Sequence, residues 1–215
     1  MKKIVAILTP LFLLFTISAK AEIGVGITAA HHMIDGDGTE TTRQSNQKNT
    51  GSHSKDVSVP EFFIEAISDN GLTIGLSYIP TRNMGSKSRT DSNTGGDNGT
   101  YKAEAELDNV ALIYADIPVT AFAGFPVHAK VGMQHVTLST LESLNSGSTY
   151  PNVDLLGLTV GIGTKGDLPF GSNMYYKAEV TYTEFESYKE TGSANNQLEA
   201  DFEDTAVKIS IGYKF

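Results

Sequence analysis

The chain has 215 residues, with 16 Lys and Arg against 25 Asp and Glu and no Cys. A formal charge of −9 argues against a nucleic-acid partner, whose phosphates are met by clustered Lys and Arg. The lack of Cys excludes disulfides, thiolate metal ligands and Cys nucleophiles together.

In chain order, residues 1–21 read as a secretory signal. Lys2 and Lys3 form the charged start, Ile4 to Ile17 the apolar stretch, and Ala19 and Ala21 the small residues of a cleavage site. The expected domains are therefore a signal peptide, 1–21, and one mature domain, 22–215. Losing Lys2, Lys3 and Lys20 leaves 13 basic residues against 25 acidic ones, a charge of −12. No later segment approaches the roughly 18 to 20 continuous apolar residues of a helical span, so any membrane crossing must use strands.

From Glu22 onward apolar residues recur at period two, the strand signal. Eight strands are predicted, at 22–32, 57–68, 71–82, 101–117, 126–140, 153–165, 173–187 and 201–215. Short connections follow the second, fourth and sixth: Ser68 to Gly71, Pro118 to Pro126, and Gly166 to Asn173. The other connections are longer and rich in Ser, Asn, Gly and Thr, as in Gly85 to Gly99, and are expected to be solvated loops. An even strand number with alternating short and long connections is the pattern of an all-β, eight-stranded antiparallel transmembrane β-barrel, with short periplasmic turns and four longer extracellular loops.

Alternation alone does not say which face meets lipid, and a soluble lipocalin-like barrel would invert it. Lys facing lipid near the midplane costs about 2 to 4 kcal/mol, so the faces carrying Lys177 and Lys208 are assigned to the lumen. The expected lumen network is Glu61, Glu65, Lys102, Glu104, Glu106, His128, Lys130, Lys177, Glu179, Asp204 and Lys208. Gly157, Thr159, Gly161 and Gly163 would leave room beside it. Two strands resist phasing: the fourth is apolar on both faces after Asn109, and the second carries Phe63 and Ile67 on its polar side and Pro60 in its run. Tyr78, Tyr101, Tyr176, Tyr182, Tyr213 and Phe215 are assigned to the lipid face.

The chain ends on Val207, Ile209, Ile211, Tyr213 and Phe215 at alternate positions. This resembles the C-terminal signal that outer-membrane barrels present to the Gram-negative assembly machinery. With the strand and loop pattern, residues 22–215 look like the small outer-membrane barrels of the OmpA membrane domain, OmpX, OmpW and opacity-protein types. The resemblance implies an outer-membrane location, and lipid, lipopolysaccharide and the barrel assembly machinery as partners. It further implies a structural or narrow porin-like role toward small solutes or ions, as a monomer without wall anchoring. The alternative is a loop-mediated adhesin or receptor with a closed lumen.

No cofactor and no enzyme activity is expected. His31, His32 and His53 raise a metal site, but adjacent His on a strand face opposite sides, so none is assigned. A lipid-modifying site would pair His128 or His135 with a Ser and a carboxylate, and no matching Ser is found. Asp35, Asp37 and Glu40 are read as solvated.

Overall fold

The computed structural model describes residues 21–43, 46–91, 99–143, 149–169 and 173–215. Residues 1–20 of the expected signal peptide, with Ala19, lie outside them, and so do the side chains of Tyr101 and Lys102.

Ten strands follow one another: β1 (Glu22–Thr41), β2 (Lys48–Ile67), β3 (Thr73–Ile79), β4 (Arg82–Asp91), β5 (Gly99–Phe122), β6 (Phe125–Ser143), β7 (Val153–Asp167), β8 (Met174–Phe185), β9 (Tyr188–Thr191) and β10 (Gln197–Lys214). β3 with β4, and β8 with β9, are broken halves of single staves. The ring therefore has eight antiparallel staves, closed by β1 on β10 from Gly24↔Lys214 to Thr41↔Gln197. Phe215 N–H adds a bond of 2.9 Å to the Ile23 carbonyl. Closure removes the unpaired edges that an open sheet would expose.

Strand tilt follows from the register. Paired residues run Ile23, Ala66, Ile74, Ala115, Val131, Val160, Tyr182, Thr205 and return to β1 at Met33, ten residues beyond the start. Such a shear tilts the staves by about 35 to 45° and leaves an interior filled by its own side chains.

The outer face carries a continuous apolar belt. Ile23, Val25, Ile27, Phe62, Ile64, Leu76, Tyr78, Ile113, Leu158, Val160, Ile162, Val180, Tyr182 and Val207, Ile209, Ile211, Tyr213 and Phe215 are all exposed. On β10 the belt runs from Val207 to Phe215, which at about 3.3 Å per residue and this tilt is roughly 20 Å of membrane. The charged side chains of these stave segments lie inside, which decides for the membrane barrel over the lipocalin-like one.

The short rim is built by specific turns. Gly71 (φ 85°) closes one, its N–H bonding the Ser68 carbonyl. Ala123 and Gly124 (φ 50° and 86°) form another, a two-residue hairpin turn whose positive φ values match the strand twist. The segment from Pro118 to Pro126, expected as a turn, is thus mostly strand.

The opposite rim is also more ordered than its composition implied. Asp35–Thr41 pairs with Lys48–Ser54, and β4 pairs with β5 as far as Asp91↔Gly99. These segments lack apolar alternation, and backbone ladders of long hairpins carry them. Above the belt the inside becomes apolar: Ile34, Ile79, Met84, Leu107, Val110, Val136, Leu138, Leu155, Phe185 and Tyr188 form one buried cluster. The outside there is charged, with Asp35↔Glu203, Asp37↔Asp201 and Glu203↔Glu184 as direct cross-strand partners. Lys189 pairs with Glu199 on this surface, a hydrogen bond that holds its ammonium above the usual lysine range.

Candidate functional site

Inside the belt, alternation sends every second side chain into a space too narrow for water-filled charge. Each charged group therefore needs a protein partner. Glu65 on β2 accepts four: Tyr114 Oη at 2.6 Å, Tyr175 Oη at 2.8 Å, Lys177 Nζ at 2.8 Å and Lys165 Nζ at 2.9 Å. The rings fit because glycine faces them. A Cβ on Gly75 would stand 2.3 Å from the Tyr114 ring, and one on Gly212 would stand 2.3 Å from Tyr175. Phe63 and Ile67, odd in the sequence, pack inward against Tyr175.

A second group joins β5, β6 and β8. Lys130 Nζ lies 2.8 Å from Asp116 and 3.0 Å from Glu179, with Tyr114's ring 3.5 Å away, and His128 bonds Glu179 at 3.0 Å. The ligand atoms of Asp116, His128 and Glu179 lie within 4.8 Å of one another. The Lys130 ammonium is already the cation of that cluster, so no metal is assigned to it.

A third group sits higher. Lys208 Nζ meets Glu61 at 2.8 Å, and His32 places Nε2 3.1 Å from Glu61 and Nδ1 2.8 Å from Asp204. Arg82 Nη1 donates to Asp204 at 2.9 Å.

Of the expected lumen residues, the structure brings inside Glu61, Glu65, His128, Lys130, Lys177, Glu179, Asp204 and Lys208. Glu104 and Glu106 are a correction: they lie on the outer face, accepting from Asn83 Nδ2 at 2.7 and 3.2 Å. The reason is a bulge. Asn109 has φ 51° and the β5–β6 register slips between Asp108 and Ala111, which reverses the strand's phase. Leu107 faces in before the bulge, Leu112, Tyr114 and Asp116 after it. Thr81 is exposed beyond Pro80. His31 points outward to Ser58 at 2.9 Å and His32 inward, so the adjacent pair does not converge.

The wall itself has a break. β2 pairs with β3 as far as Phe62↔Tyr78, and continuing that register sets Pro60 opposite Pro80. Neither can donate to a ladder, and pairing stops there. Beyond it β4 bonds only to β5 among the described residues, leaving a seam between β2 and β4. Residues Thr50 to Asp56 of β2 are exposed on both faces. At Gly85 (φ 89°), in a β4 bulge, a Cβ would stand 3.0 Å from His53 Nε2, so the His53 side chain spans the gap at that point. Val57, Val59, Ile79 and Met84 lie inside the seam, at the edge of the apolar cluster. Outside its lower end are the belt residues Phe62 and Tyr78.

Apolar belt, charged interior and shear together define an eight-stranded outer-membrane β-barrel. Solved structures share this fold. The outer membrane protein OprG of Pseudomonas aeruginosa is similar at 13% identity over 91% of this chain and 97% of that one, with a TM-score of 0.54. AlkL, solved in lipid bilayers, is similar at 9% identity over 92% and 93%, with a TM-score of 0.53. No protein-family model and no curated protein matches the chain.

Proposed function

We propose that this outer-membrane barrel passes small apolar solutes sideways, from its apolar extracellular interior through the β2–β4 seam into the outer leaflet, and does not conduct along its axis. The observation that supports this reading is the position of the Pro60–Pro80 break. It lies where the interior turns apolar and the lipid belt begins outside. The axial route is opposed by the three ion-pair groups, whose lysines are paired with carboxylates and buried. A polar solute moving down the axis would have to replace those partners, at about 3 to 5 kcal/mol for each broken buried pair. An apolar solute at the seam meets Val57, Val59, Ile79 and Met84 and breaks none of them.

On this reading no catalytic step is assigned. Export by residues 1–21, and assembly through Val207, Ile209, Ile211, Tyr213 and Phe215, remain part of the proposal. The test is to zip the seam. In cells with a lipopolysaccharide outer leaflet, the protein should speed the rise of N-phenylnaphthylamine fluorescence. The double variant Pro60→Val with Pro80→Val, which restores two donors to the ladder, should fall to the rate without the protein at equal amounts of heat-shiftable barrel. Equal rates for the zipped and native barrels would reject the seam as the route.

A further inference from the structure

Arg82 opens β4 immediately beyond Pro80 and Thr81, and its side chain is fully buried. Its guanidinium is used on one side only. Nη1 faces Asp204 Oδ2 at 2.9 Å and His32 Nδ1 at 2.8 Å. No protein acceptor among the described residues bonds Nε or Nη2. Those two atoms form the edge through which a guanidinium holds a carboxylate by two parallel hydrogen bonds. A buried donor pair left unmet is costly, so the edge is built for an acceptor that the described residues do not supply.

The surroundings define the rest of that acceptor. Ile79 and Met84 flank Arg82 along the chain and belong to the apolar cluster beside the seam. We infer that Arg82 is the head-group site for a monocarboxylate amphiphile, whose apolar body lies among Ile79, Met84 and their neighbours. This names the class of solute for the lateral route and rests on that reading.

The two free donors of the Arg82 edge match the two oxygens of a single carboxylate. Arg82 and Lys208 are matched by Asp204 and Glu61. A cationic amphiphile would meet the Arg82 edge and be repelled.

The test is NMR of the mature barrel in lipid nanodiscs with ¹⁵N-labelled arginine, the Arg82 Nε resonance being identified by its loss in Arg82→Gln. Titration with octanoate should move that resonance to saturation, and 1-octanol should leave it in place. Arg82→Gln should weaken octanoate binding at least tenfold. If Arg82→Gln does not fold, the same titration is read in the Arg43→Lys, Arg89→Lys double variant, whose one remaining arginine is Arg82. An Nε signal indifferent to octanoate, equally responsive to octanol, or cross-relaxing only with a fixed water would overturn the assignment. Native N-phenylnaphthylamine uptake with no octanoate response removes the carboxylate site and leaves the seam. An octanoate response in a barrel that speeds no uptake keeps Arg82 as a binding site and removes the route.

Discussion

Below the seam the staves are apolar outside and charged inside; above it they are charged outside and apolar inside. The two regions share strands, tilt and ladder, so backbone pairing does not distinguish them. The solvent does. In the belt, lipid takes the apolar face and forces Glu65, Lys130 and Glu61 to find partners within the lumen. Above it, water takes Asp35, Asp201 and Glu203, and Leu107, Val136 and Leu138 close the interior as in a soluble protein. Two staves cross between the regimes with a device at the boundary: β5 reverses phase at Asn109, and the β3–β4 stave breaks at Pro80.

This inversion predicts unequal responses to similar changes. The largest is expected in the lumen. Glu65→Ala leaves Lys165 and Lys177 without their shared carboxylate and should destabilise the barrel by about 3 to 5 kcal/mol, read as a fall in the urea midpoint in lipid vesicles. Next is the belt, where Ile209→Lys sets an ammonium in lipid at about 2 to 4 kcal/mol. Smallest is the extension: Asp201→Lys, on the same outer face of the same strand, should stay within about 0.5 kcal/mol. Similar losses for Ile209→Lys and Asp201→Lys in that titration would break the distinction between the regions.

How much of this was legible in the sequence follows the same boundary. In the belt the period-two pattern placed all eight staves, and the positions of Lys177 and Lys208 oriented them. Lys165 was readable too, as the next residue on the Gly157–Gly163 face of β7. Tyr114 and Asp116 were hidden because one extra residue at Asn109 inverts parity, and nothing in a single sequence fixes where a bulge falls. Arg82 and His32 were missed for a different reason. Arg82 follows a Pro that interrupts the pattern, and His32 was weighed with its neighbour His31, although the two point apart. The strands above the belt, such as Lys48–Asp56, carry Ser, Gly, Lys and Asp on both faces, so composition read them as loop. Pro60 was visible as a misfit; only the register reveals that it faces Pro80.

The most direct measurement is single-channel conductance of the mature, heat-shiftable barrel in planar bilayers. A lumen filled by the Glu65, Lys130 and Glu61 groups and capped by the Leu107 cluster predicts a silent bilayer at all salt concentrations. Discrete, salt-dependent steps would show an axial pore and contradict the lateral route.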